Sequence, residues 1–84
     1  DHISLKALKT IRHVVNLIVF NGGNSESKIS AIVLYNEKAL EFYNTSFVIS
    51  PSSLLYITLA TNITYGYVKL ITSKGNIIIA PLIN

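Results

Sequence analysis

The stretch that most restricts what this chain can become is its C-terminal run, residues 65–80, in which two arms rich in Ile, Val, Leu and Tyr flank the tetrapeptide Ser73-Lys74-Gly75-Asn76. Side chains of those types fit a pleated, half-buried surface. Gly75 supplies a positive φ at the turn, and Asn76 tolerates the left-handed region. The run therefore predicts an antiparallel hairpin of the kind that closes a small all-β domain. Residues 1–84 are read as one such domain, because a chain of 84 residues buries only about 60–65% of the surface it exposes unfolded. Its core has to be apolar. Half of the residues are hydrophobic and 13% are charged, against roughly 25% charged in an ordinary soluble domain. That excess is more than one small core hides, so part of the apolar surface is expected to meet a partner subunit or neighbouring domain. Without Cys, Met or Trp, neither a disulfide framework nor a thiolate metal site is open to the chain, and packing alone has to stabilise it.

Further strands follow from alternation and turn chemistry, at the spacing of a sandwich or barrel. The first covers residues 3–9, with Ile3, Leu5 and Ala7 alternating against Ser4 and Lys6. The second, 13–20, is apolar on both faces and ends at Asn21-Gly22-Gly23-Asn24-Ser25, a strong turn cluster. The third, 28–35, sets Ile29, Ala31, Val33 and Tyr35 against Ser30, Ile32 and Leu34. Asn36-Glu37-Lys38 turns it into a fourth, 39–43. A short fifth, 47–49, stops at Ser50-Pro51-Ser52-Ser53. Residues 54–60 form the sixth, with Leu55, Ile57 and Leu59 on one face and Tyr56 and Thr58 on the other. The terminal hairpin supplies the rest, and the count is seven if 47–49 leads into the following strand. Leu5, Leu8, Ile11, Val15 and Ile18 also recur at helical steps, which makes a helix the alternative over residues 3–13. Strand is preferred there, because Val14, Val15, Ile18 and Val19 are β-branched and no capping box precedes the run.

The inventory of reactive groups carries no catalytic constellation. His2 and His13 lack the further ligands zinc requires. Glu37 and Glu41, four residues apart on a strand, would stand ~13 Å from each other and read as edge charges that discourage sheet-to-sheet association. Ser50, Ser52 and Ser53 belong to no nucleophile elbow. Lys74-Gly75-Asn76 lacks the upstream glycine and following helix of a phosphate loop. Lys6, Lys9 and Arg12 make a mildly basic end within a net charge of +3, too sparse for a nucleic-acid site and suited to weak attraction toward an acidic surface or glycan layer. No run reaches the ~18–20 apolar residues of a membrane span. The domain is thus expected to be soluble, with membrane contact only through a hydrophobic anchor preceding Asp1. Asn44-Thr45-Ser46 and Asn62-Ile63-Thr64 are N-glycosylation sequons that fit exposed loops of a secreted protein, making Asn44 and Asn62 candidate modification sites. Core and cross-strand packing is the expected role of most of the tyrosines and phenylalanines. Tyr56, Tyr65 and Tyr67, with Lys6, Lys9 and Arg12, are the candidate partner surface. No cofactor, metal or enzymatic reaction is expected.

In chain order the signals are an apolar strand ending Val19-Phe20-Asn21-Gly22-Gly23-Asn24, then 29–35, then Phe47-Val48-Ile49-Ser50-Pro51-Ser52-Ser53, then 67–76. This order resembles the immunoglobulin-like β-sandwich found outside the membrane in archaeal pilin-type proteins, including archaellins and archaellum stator proteins. The resemblance spans most of the chain. Those proteins carry an N-terminal hydrophobic helix that this sequence does not contain, so polymerisation through such a helix is not implied. What is implied is an immunoglobulin-like sandwich of about seven antiparallel strands, placed at the cell surface and making protein–protein contacts in a motility filament, its stator or the surface layer. Tyr65 or Tyr67, at the start of the penultimate strand, then matches the corner tyrosine that hydrogen-bonds backbone in such sandwiches. A glycan- or surface-layer-binding adhesion module and a virion surface protein are the alternatives.

Overall fold

Period-two burial decides the element type along nearly all of the chain. The computed structural model describes residues 2–8 and 12–83. Its strands are β1 (Ile3–Leu8), β2 (Val14–Asn21), β3 (Ser27–Tyr35), β4 (Leu40–Ile49), β5 (Ser53–Ala60), β6 (Tyr67–Thr72) and β7 (Ile77–Ile83). No helix occurs among the described residues, and the helical alternative fails over residues 3–8, where Ser4 and Lys6 face out while Ala7 is buried. The end of the first expected strand, Lys9, lies outside the described residues.

The seven strands make one mixed sheet in the order β4-β3-β6-β7-β1-β2-β5, curled until it is nearly barrel-shaped. All strands were expected to pair antiparallel, and five of the six neighbouring pairs do, yet β1 and β7 run parallel, with Ala7 opposite Leu82 and Leu8 opposite Ile83. That pairing is short, and it divides the sheet into a β5-β2-β1 part and a β7-β6-β3-β4 part. Inward side chains of both parts share one core, which includes Val15, Leu17, Val19 and Ile57 from the first and Ile29, Ile32, Leu34, Val68 and Leu70 from the second.

Apart from one- or two-residue differences at strand ends, two features depart from the sequence expectation. In β3 the inward positions are Ile29, then Ile32 and Leu34, not Ile29, Ala31 and Val33. The cause is a bulge: between the pairs Ile29↔Thr72 and Ala31↔Ile71, β3 advances two residues while β6 advances one. An extra residue flips the period-two phase. The hydroxyls of Ser30 and Thr45 donate to the carbonyls of Ile71 (3.1 Å) and Ile29 (2.8 Å), the acceptors that the disturbed ladder leaves over. The second difference is β4, which runs unbroken through Asn44-Thr45-Ser46 and so joins the expected fourth and fifth strands. The count of seven holds, but 47–49 continues the strand before it and not the one after.

The turns follow their side chains. Asn36 accepts at Oδ1 from the N–H groups of Lys38 (2.8 Å) and Ala39 (3.0 Å), closing the β3–β4 hairpin. At the terminal hairpin the N–H of Gly75 donates to the Thr72 carbonyl at 2.9 Å, and Gly75 takes a φ of 87° as expected, whereas Asn76 does not adopt positive φ. The Asn21 cluster does more than turn the chain. Its buried amide donates to the carbonyls of Ser25 and Ile49, each at 2.9 Å, and accepts from the N–H of Gly23 at 2.9 Å, while its own carbonyl accepts from Ser52 at 2.7 Å. The β2–β3 and β4–β5 turns are thereby tied together.

Candidate binding face and tyrosine cleft

Alternation that sends one set of side chains into the core sends the other onto an outer face, and on the β4-β3-β6-β7 part that face is apolar. Cross-strand register lines up Leu40 with Tyr35, Phe42 with Val33 and Asn44 with Ala31, and then Tyr35 with Tyr67, Val33 with Lys69 and Ala31 with Ile71. Beyond β6 come Pro81, Ile79 and Ile77. Among these side chains only Asn44, Lys69 and the two tyrosine hydroxyls are polar. Leu40 is 66% exposed, Phe42 55%, Ile77 57% and Ile79 52%. The one charge among them is folded down: the Lys69 ammonium lies 5.6 Å from the centroid of the Tyr35 ring, a distance at which the ring quadrupole attracts a cation, and the exposed Lys28, opposite Val48, stands at the far end of the face. On the other part of the sheet a smaller apolar patch pairs Ile18 with Tyr56 and Phe20 with Leu54, bordered by the exposed Lys6 opposite Ile18.

At one end of the larger face is a cleft of about 510 Å³ lined by Tyr35, Asn36, Glu37, Tyr65, Gly66, Tyr67 and Pro81. Tyr35 and Tyr67 stack with ring centroids 5.8 Å apart. Tyr65 comes to the same place because Gly66, at φ 122°, lets the loop after β5 run against the backbone of Tyr35, and because the Asn36 amide donates to the Tyr65 carbonyl at 3.1 Å. The Tyr65 hydroxyl donates to Glu37 Oε1 at 2.7 Å. That bond, with a backbone hydrogen bond, holds the Glu37 carboxyl below its ordinary value. The cleft thus presents aromatic rings beside a carboxylate, with the Lys69 ammonium near the Tyr35 ring.

Glu41 does different work. It accepts from the Thr61 hydroxyl at Oε1 and from the Asn62 N–H at Oε2, 3.2 Å away. The Tyr43 hydroxyl stands 2.6 Å from the Ala60 carbonyl and 2.8 Å from Glu41 Oε1. β4 and β5, the two ends of the strand order, are linked across their edges by this group. The Thr61 hydrogen bond holds Glu41 below its ordinary value, while burial, then the carboxylate, raises the Tyr43 phenol.

Several expectations change place. Glu41 is half-buried on the edge strand β4, whereas Glu37 is exposed in the turn before it and not on a strand, and each accepts a hydroxyl hydrogen bond. Neither Tyr65 nor Tyr67 is a corner tyrosine, for Tyr65 bonds a carboxylate and Tyr67 stacks; Tyr43 is the tyrosine whose hydroxyl reaches backbone. Of the candidate partner residues, Tyr65 and Tyr67 meet in the cleft, whereas Tyr56 is on β5, Lys6 on β1 and Arg12 in the turn before β2. Lys9 is outside the described residues. Asn62 is exposed in the loop after β5, as a sequon asparagine was expected to be, but Asn44 is exposed in the middle of β4 and not in a loop. His2 and His13 line separate depressions, the first beside Asn21 and Ser27, the second beside Glu41 and Thr61. Tyr35 was missed as a site residue because its partners arrive from two other segments; the Tyr65-Gly66-Tyr67 pattern, a glycine between two aromatics, was the signal present. Comparison of the chain with protein-family models, with curated proteins and with solved structures finds no match.

Proposed function

We propose that the chain is an extracytoplasmic assembly domain, an immunoglobulin-like β-sandwich whose β4-β3-β6-β7 face packs against like subunits in a cell-surface filament, its stator or the surface layer. The single observation that carries this reading is the face itself, which exposes Leu40, Phe42, Ile77 and Ile79 around one charge that is laid against a ring. Contiguous apolar surface of that kind on a soluble domain marks an interaction site. The strand order supports the immunoglobulin-like assignment: β1, β2 and β5 oppose β3, β6 and β7, and β4 lies beside β3 as an added strand does in variable-type domains. Exposed sequon asparagines at positions 44 and 62 accord with a secreted chain. Asn44 belongs to the face, so in assembled chains Asn62 is the residue left to carry a glycan.

Equilibrium sedimentation of the domain at high concentration tests the reading. The wild-type chain self-associates, and Phe42→Lys, an exposed substitution the fold tolerates, lowers the mean mass. A wild-type mass that stays monomeric, or a variant mass equal to wild type, overturns it.

The tyrosine cleft favours a second reading, an adhesion module that binds glycan. Lys69 disfavours a cationic ligand and Glu37 an anionic one, while stacked rings suit a neutral sugar ring. Titration with methyl glycosides of glucose, galactose, mannose and N-acetylglucosamine, followed by amide NMR, would move residues 35–37 and 65–67. Shifts that persist in Tyr67→Ala, or none at all, would remove this reading.

A further inference from the structure

We infer that two copies of this chain join by antiparallel strand addition along the free edge of β7. The inference rests on the assembly reading above and specifies how two copies meet.

One side of β7 is paired with β6. On its other side β1 pairs with it only at Leu82 and Ile83, so among the described residues no strand pairs with Ile77, Ile78, Ile79 or Ala80 there. The direction of each backbone group follows from one hydrogen bond. Leu82 donates to the Gly66 carbonyl at 2.9 Å, so Leu82, Ala80 and Ile78 turn their N–H and C=O groups toward β6. Antiparallel ladders alternate, which leaves those of Ile79 and Ile77 pointing away. Pro81, with no N–H, and the turn at Gly75 bound this open run.

Natural edges are blunted by charges, prolines or bulges because an open one recruits strands. Residues 77–80 carry no such device: the run is Ile-Ile-Ile-Ala, with Ile77 and Ile79 more than half exposed. The edges of β4 and β5 differ from it, since Glu41 and Tyr43 tie them to each other at one end, against Ala60 and Thr61. A second copy of the same run is self-complementary. With Ile78 opposite Ile78 of the second copy, Ile77 donates to and accepts from Ile79 of that copy, and Ile79 does the same with its Ile77. Every outward group of the run is then paired. The register also sets Ile77 of one face beside Ile79 of the other, so the apolar face continues across the pair. An unrelated strand would have to match this charge-free spacing, whereas the chain's own β7 already does.

Phe42→Lys, which blocks packing through the face, isolates the edge contact. Dimers remain in that background by sedimentation. Adding Ile79→Pro, which deletes an outward N–H and leaves the β6 ladder its donors, weakens them by about tenfold or more while the circular dichroism stays that of the parent. Ile78→Cys in the same background forms an intermolecular disulfide under mild oxidation, because a non-hydrogen-bonded antiparallel pair brings Cβ atoms close together. If the proline variant fails to fold, the Ile78→Cys disulfide decides alone. A monomeric Phe42→Lys chain derived from a self-associating wild type overturns the edge pairing and leaves the face; dimers of unchanged strength in Ile79→Pro, or no disulfide at Ile78→Cys, overturn it too. A monomeric wild type removes both.

Discussion

Gly66 sits at φ 122°, and a Cβ built there would lie 2.1 Å from the backbone carbonyl oxygen of Tyr35. No rotamer relieves a clash with backbone, so Gly66→Ala has to displace the loop that carries Tyr65. It should cost about 3 kcal/mol or more, from strained φ plus the displaced contact. Gly75, at φ 87° with nothing within 4 Å of its Cβ position, provides the control. Gly75→Ala should cost only the left-handed penalty, about 1–2 kcal/mol. Urea denaturation measures both, and a smaller loss at Gly66 than at Gly75 would contradict the close approach. Asn21 makes the matching case for a polar side chain. Its amide is fully buried and satisfies two carbonyls and one N–H. Asn21→Ala strands the Ile49 carbonyl in the interior and loosens two part-buried turn groups, and should lower stability by about 2–4 kcal/mol, read as a fall in the urea midpoint. In the sequence, Asn21 reads only as a turn former, because its long-range acceptor, the Ile49 carbonyl, is 28 residues away.

At the level of elements, the bulge in β3 is where hydroxyl chemistry replaces ladder hydrogen bonds. Thr45→Val keeps the shape and removes the donor to the Ile29 carbonyl, which should cost about 1 kcal/mol or somewhat more. Thr58→Val removes a hydroxyl that bonds the Asn16 side chain in an exposed position, and should stay within about 0.5 kcal/mol. Equal losses at the two sites would deny the bulge its dependence on Thr45. The same element shows what was legible in the chain. Strands β2 and β5, and the turns at 36–38 and 73–76, could be read because β-branched runs, alternation and turn residues are local properties. The phase slip at Ser30 could not, since the bulge is imposed by the registers with β4 and β6 on either side. Asn44-Thr45-Ser46 has the composition of a turn, yet it runs extended beside β3, with Asn44 opposite Ala31. The cleft was half legible: Tyr65 and Tyr67 were singled out, but Tyr35 and Glu37 join them through topology that no local pattern encodes.

For the molecule as a whole, a seven-stranded sheet with a seam at β1 and β7 has to hold its two parts together by means other than that short parallel pairing. The shared core is the main one. The Glu41 group is the other, because it joins β4 to the end of β5 and the loop beyond, the opposite extremity of the strand order. Its titration therefore reports on closure. Glu41 has a folded-state value below its ordinary value of 4.5, so the unfolded chain binds the proton more readily, and unfolding is favoured as protons are added. Its contribution is present above the unfolded value and is lost as pH falls through the folded one. Tyr43, raised above 10.0, behaves in the opposite sense: its contribution is intact below the unfolded value and is lost as pH climbs through the folded one. Thermal unfolding across the acid range should then show wild-type stability falling below about pH 4.5 more steeply than in Glu41→Gln, which has no proton to bind at that position. The gap between the two proteins is widest near neutrality and closes as pH falls through the folded value. Glu37→Gln separates closure from general carboxylate effects, because Glu37 also titrates low but bonds Tyr65 within the cleft and leaves the β4 and β5 edges alone. An acid limb flattened equally by Glu37→Gln and Glu41→Gln would mean that the edge-to-edge group does not hold the sheet closed.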